Sequence, residues 1–178
     1  MKYKITWGNH LRALDLSIFN LVVILAFGWY QDNQDNLNDN IINGLIVVVF
    51  ISLLPVLYLH IEYCYYNRGK ELEIDSWGKK LIYTDKIGVT ESYSFDDLSK
   101  IIIYMPPHFH SNTMFIRIPF DTYHYAKIFT KSGKELIVTS LMAGKVQDLA
   151  GSIRGVPVEK KKRIFASIMI GKNFPYFI

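Results

Sequence analysis

The sequence predicts an α+β protein: an N-terminal two-helix transmembrane hairpin, then a small antiparallel β-sandwich or barrel capped by a C-terminal α-helix. Three observations lead there. Two apolar stretches, 11–30 and 41–61, are each about 20 residues long, and as helices they span roughly 30 Å, the thickness of a bilayer's hydrocarbon core. Between them lies QDNQDNLNDN, with three Asp, four Asn and no Lys or Arg. From Asn67 onward the pattern changes to short alternating runs separated by turn residues, with one amphipathic helix near the end.

The first helix, about 11–30, carries Arg12, Asp15 and Asn20 in its first half. Arg12 and Asp15 are three apart and are expected to meet on one face near the aqueous end. Asn20 calls for a partner, most simply on the second helix or on another copy of the chain. Trp29 and Tyr30 stand where an interfacial aromatic belt would be. The second helix, about 41–62, contains GLIVVVFISLLPVLYL without a charge. It is apolar all round, unlike a soluble core helix with its polar stripe. Pro55 frees the carbonyl of Ile51, so a kink is expected, with the Ser52 hydroxyl near enough to satisfy freed backbone. His60, Glu62 and a run of tyrosines mark the exit.

Charge sets the direction of the hairpin. Lys2, Lys4 and Arg12 precede the first apolar core and Arg68 and Lys70 follow the second, whereas the connecting loop 31–40 has no cation. Both termini are therefore expected in the cytoplasm and the acidic loop outside. Residues 67–178 hold seventeen basic and eleven acidic residues, a cationic surplus suited to anionic lipid headgroups. Nucleic acid is not expected as a partner, because no nucleic-acid motif accompanies the charge. The single cysteine, Cys64, excludes an intramolecular disulfide.

The β region is expected over 67–158. Residues 71–77 (ELEIDSW) and 79–85 (KKLIYTD) form a hairpin around Trp77-Gly78-Lys79. Residues 89–95 alternate again, and Asp96-Asp97 opens a short turn. Residues 99–105 (SKIIIYM) are a β-branched run ended by Pro106-Pro107. Residues 114–118 form a short strand, and 123–130 and 135–140 a hairpin turning at Gly133. Residues 143–153 form the capping helix, with Val146, Leu149, Ala150 and Ile153 on one face. Residues 159–178 read as a basic and aromatic tail.

Seven strands followed by one helix, with SYSFDDLSKIII at 92–103 and YAKIFTKSGKELIVTSLMAGKVQDLAGSI at 125–153, resembles the bacterial pleckstrin-homology-like (PH-like) membrane proteins, in which transmembrane helices precede a PH-like domain. The resemblance implies a membrane-bound interaction or assembly module, located in a bacterial inner membrane and bringing no catalytic residues. In eukaryotic phosphoinositide-binding members a basic loop joins the first two strands. On the strand assignment above that loop would be only Gly78-Lys79-Lys80, which argues against inositol-phosphate recognition.

Motifs for chemistry are sparse. There is no phosphate-binding glycine loop, no nucleophile elbow and no paired-cysteine or HExxH metal motif, so no cofactor is expected. His108, His110 and His124 are the weak candidates for a metal shell, since alternate residues of an extended segment face one way. Lys79 and Lys80, with the run Lys160, Lys161, Lys162 and Arg163, are the candidates for contact with the membrane surface or a partner. The expected function is that of a non-enzymatic scaffold at the bilayer, with an unidentified protein partner and self-association through the hairpin. The alternatives are a regulatory or immunity-type protein that blocks a specific partner, and a small membrane enzyme with a histidine metal site.

Overall fold

A computed structural model describes residues 1–34, 38–107 and 119–173. The chain opens with a strand that local patterning does not show. β1 (Lys2–Lys4) pairs antiparallel with β2 (Glu71–Asp75), Lys2 opposite Glu73 and Lys4 opposite Glu71. The two long helices, α1 (Trp7–Asn33) and α2 (Asp39–Asn67), are therefore inserted between the first two strands of a sheet. They outrun the apolar stretches because polar residues start them: the Thr6 side chain accepts from the Asn9 amide, and that of Asn38 from the Ile41 amide. At 27 and 29 residues they are roughly 40 Å long, enough to cross a hydrocarbon core and leave a base outside it. α2 runs unbroken through Pro55, and Ser52 Oγ donates to the Val49 carbonyl at 3.1 Å.

Sheet 1 has the order β1-β2-β3-β4, with β3 (Lys80–Thr84) and β4 (Thr90–Ser94). A 3-10 turn, Phe95–Asp97, then leads into sheet 2. It is held by reciprocal bonds between the side chains and backbones of Ser94 and Asp97. Sheet 2 has the order β7-β6-β5-β8, formed by β5 (Leu98–Met105), β6 (Tyr125–Thr130), β7 (Glu135–Thr139) and β8 (Val158–Lys162). β8 lies parallel to β5, Lys160 opposite Ile103 and Lys162 opposite Met105.

The structure departs from the sequence expectations at several points. The boundaries at 67 and 158 do not separate parts of the fold, because β1 lies before the first, β8 runs across the second, and the two strands complete the sheets. The run 159–163 begins as an edge strand rather than as a tail. The helix expected over 143–153 forms as α4 (Val146–Ser152), and a short α3 (Ser140–Ala143) precedes it. They are divided at Gly144, whose φ of 64° suits glycine. Because β1 comes first, the link between the first two strands is the helical hairpin, and Gly78-Lys79 is the β2–β3 turn. Arg12 does not turn to Asp15. Its Nη1 lies 3.2 Å from where a Cβ on Gly144 would sit, while Asp15 Oδ1 accepts from the Leu16 amide. The strand expected at 114–118 lies outside the described residues.

Two cores share sheet 2. One fills the sandwich: Leu72, Ile74 and Leu81 of sheet 1 meet Ile101, Ile103, Met105, Ile128 and Val138 of sheet 2. Val146, Leu149, Ala150 and Ile153, the face expected from the sequence, close its open end. The second core lies on the other face of sheet 2, where Ile102, Tyr104, Tyr125 and Ile137 meet Ala13 of α1 and Val56, Leu59 and Tyr63 of α2. The base of the hairpin is thus packed against the domain rather than tethered to it.

Asn67 fastens this second core. It is fully buried, its Nδ2 donates to the Ile137 carbonyl at 2.8 Å, and its Oδ1 accepts from the Thr139 amide at 2.9 Å. Truncation strands a buried donor and a buried acceptor of β7. Asn67→Ala is expected to destabilise the protein by roughly 2–4 kcal/mol in denaturant titration in detergent micelles. A loss below about 0.5 kcal/mol, the size of an ordinary surface change, would show that the joint does not rely on this pair.

Candidate functional site: the joint between the helices and sheet 2

Polar bonds surround the second core and tie each leg of the hairpin to the domain. On α1, Asn9 Nδ2 donates to the Leu141 carbonyl at 2.8 Å, and the Ala13 carbonyl accepts from Thr122 Oγ1 at 3.1 Å. On α2, Tyr63 Oη donates to the Ala166 carbonyl at 2.7 Å. Buried Glu62 accepts through Oε1 from Ser167 Oγ at 3.0 Å and from the Met169 amide at 2.6 Å. These bonds bring the segment after β8, including α5 (Ile168–Asn173), back onto α2. Phe165 stacks on Tyr58 of α2, with centroids 5.8 Å apart.

Beyond this base the helices turn apolar side chains outward. Ile18, Phe19, Val22, Val23, Leu25 and Phe27 of α1 are exposed, as are Ile42, Ile46, Val47, Val48, Phe50, Ile51 and Leu54 of α2. A groove of about 390 Å³ between the helices is lined by residues such as Ile24, Gly28, Leu45 and Val49. Soluble monomers rarely expose a contiguous apolar surface of this extent, and one marks a membrane or protein contact.

The structure does not gather the cationic candidates into one patch. Lys79 and Lys80 are exposed at the end of sheet 1 opposite the ends where β1 and β2 meet the helices. Lys79 holds a positive φ of 49°, in a turn where Asp75 Oδ1 accepts from the amides of Trp77 and Gly78. Trp77 beside them is 98% exposed. Lys160, Lys161 and Lys162 are exposed along β8, the edge of sheet 2, and Lys161 pairs with Glu159 at 3.4 Å. Charged residues on an edge strand discourage pairing with another chain, which accounts for the run without a ligand. Arg163 is engaged: its guanidinium lies 4.5 Å from the Tyr104 ring centroid, and Nη1 is 3.5 Å from Tyr125 Oη.

Of the histidines singled out, His108 and His110 lie outside the described residues. His124 is buried and does structural work. Its Nδ1 is 3.0 Å from the Thr122 carbonyl, and Nε2 faces the Val146 amide at 3.4 Å. Both ring nitrogens face backbone groups, and the Thr122 carbonyl takes a proton from Nδ1. A different histidine pair converges instead. His10 Nδ1 lies 2.9 Å from His60 Nε2, and His60 Nδ1 lies 2.9 Å from Tyr123 Oη. Cys64, one turn after His60, completes a half-buried group whose ligand atoms all lie within 4.8 Å of one another. The spacing of His60 and Cys64, four apart on a helix, was visible in the sequence; the approach of His10 from fifty residues away was not.

Burial pushes the His124 pKa down to about 4 from its ordinary 6.5. The folded state therefore binds the proton more weakly than the unfolded chain, so stability is present above about pH 6.5 and is lost as pH falls toward 4. The loss from this group is on the order of 3 kcal/mol. Thermal unfolding between pH 7 and pH 4 is expected to show this acid sensitivity in the wild type and a flatter profile in His124→Gln. Equal slopes in the two proteins would assign the sensitivity elsewhere.

Comparison with the curated proteins and with the solved structures found no match for the chain. A family model described as a PH domain matches residues 2–148, a span that starts at β1, includes both long helices and reaches into α4. That coverage agrees with a sandwich whose first strand precedes the helical insertion, and the chain belongs to this PH domain family.

Proposed function

We propose that this is a membrane-anchored, non-enzymatic protein that holds a PH domain rigidly at the cytoplasmic face of a bacterial inner membrane, where the domain acts as an interaction or scaffold module. The outward apolar belt on two helices fused to the domain carries the reading, because lipid is the medium that covers such a belt without cost. The orientation rests on Lys2, Lys4, Arg12, Arg68 and Lys70 at the base against a loop with no cation. β1 and β8 belong to the same domain, so both ends of the sandwich lie on the cytoplasmic side in this reading.

Lys160, Lys161 and Lys162 supply an electrostatic attraction to anionic headgroups of about 1 kcal/mol per cation near the surface. Asn20 has no hydrogen-bond partner among the described residues, and a second copy of the hairpin would offer one. A regulatory, partner-blocking role is favoured by a separate observation. Trp77 is almost wholly exposed beside Lys79 and Lys80, an aromatic and basic tip suited to a protein contact.

The anchor is tested in membranes from cells expressing the full chain. The protein is expected to resist alkaline carbonate and to be released only by detergent. In a Cys64→Ser background, Gln34→Cys is expected to react with an impermeant maleimide from outside, and Ser132→Cys only after permeabilisation. Release by carbonate would overturn the anchor, and the opposite labelling pattern would overturn the orientation. For the partner-blocking role, Trp77→Ala is expected to lose a protein that co-purifies with the wild type in mild detergent. Retention of that protein would remove Trp77 from the contact.

A further inference from the structure

The cluster His10, His60 and Cys64 has no part in anchoring, and its chemistry is specific. Two imidazoles and one thiol are a borderline-soft donor set, suited to zinc and its neighbours rather than to magnesium or calcium. The donors come from both legs of the hairpin: His10 from the first turn of α1, His60 and Cys64 from the last turns of α2. In a tetrahedral zinc site the ligand atoms stand roughly 3.3–3.6 Å apart. The His10–His60 pair at 2.9 Å has to open slightly, and the thiol to close in from within 4.8 Å.

The surroundings already orient one ligand. Tyr123 Oη sits on His60 Nδ1, which leaves Nε2 directed at His10. A metal-binding histidine is commonly held in this way, its second nitrogen donating to a fixed outer partner. With His60 donating to Tyr123, the proton between His10 Nδ1 and His60 Nε2 belongs to His10. A cation can take its place once the remaining proton of His10 sits on Nε2 and the thiol is deprotonated.

We infer that His10, His60 and Cys64 bind one divalent transition-metal ion, zinc in the first instance, which clamps the two legs of the hairpin where they join the PH domain. The three side chains are half-buried, so the ion can enter and a water can take the fourth position. Bound there, the metal cross-links α1 to α2 and stabilises the joint.

The test uses the full chain without a histidine tag, purified in mild detergent, stripped with EDTA and titrated with cobalt chloride. One cobalt per chain is expected, with thiolate-to-cobalt charge-transfer absorption and the visible bands of a tetrahedral ion, all abolished when zinc displaces it. Because Cys64 is the single cysteine, the wild-type spectrum is itself decisive. Cobalt binding without a thiolate band, as exposed histidines alone would give, overturns the site, and so does the absence of saturable binding. Cys64→Ser is expected to remove the band. Tyr123→Phe is expected to keep it while weakening zinc by about 10-fold, the usual effect of losing an outer partner. Unchanged zinc affinity in both Cys64→Ser and His10→Gln would also overturn the assignment.

Discussion

Everything in this molecule depends on the burial of sheet 2 from both sides. One face closes the sandwich against sheet 1 and α4, and the other receives the base of α1 and α2. A sheet covered on both faces cannot shed the helices without exposing Ile102, Tyr104, Tyr125 and Ile137 to water. The hairpin is therefore part of the folded core, and its position relative to the domain is set by packing. A flexible linker would have let the domain sample many orientations relative to the helices. Here the chain passes from β1 into α1 and from α2 into β2 with only a few residues at each crossing.

The polar groups at this joint follow from the same constraint. Helices packed across a sheet edge and a neighbouring turn place carbonyls and amides where water is excluded, and those groups need partners. Asn67 serves β7, Asn9 serves the end of α3, and Tyr63 and Glu62 serve the returning chain after β8. Apolar contact holds the helices down without direction. These bonds add the direction, because each is satisfied in only one register of helix against sheet. Glu62 Oε2 is buried without a partner among the described residues, which leaves one point of the joint less completely satisfied than the rest.

The basic residues acquire different meanings once placed. Lys160–Lys162 line a sheet edge, where charge also prevents unwanted strand pairing. Arg163 lies over the Tyr104 ring, itself stacked on Tyr125, and has only part of its surface free. Lys79 and Lys80 crown the far end of sheet 1 beside an exposed tryptophan. The cationic surplus is thus a property of several separate surfaces.

The sequence by itself determined the elements whose signals are local. The long apolar runs, the alternation in β2 and β3, the turn at Gly133 and the face Val146, Leu149, Ala150 and Ile153 all follow from the period of one strand or helix. One run also carries a signal for the second packing face. SKIIIYM does not alternate because Ile101 and Ile103 face the sandwich while Ile102 and Tyr104 face the helices, so this run already implied a sheet covered twice. Only the tertiary structure decided that β1 belongs to the sheet, since three residues have no periodicity of their own and are strand by virtue of pairing with β2. The same holds for β8, whose lysines form a strand because β5 offers an edge, and for the meeting of His10 with His60 and Cys64. Such contacts join residues far apart in the chain, and their energy exists only when the packing that brings them together is in place.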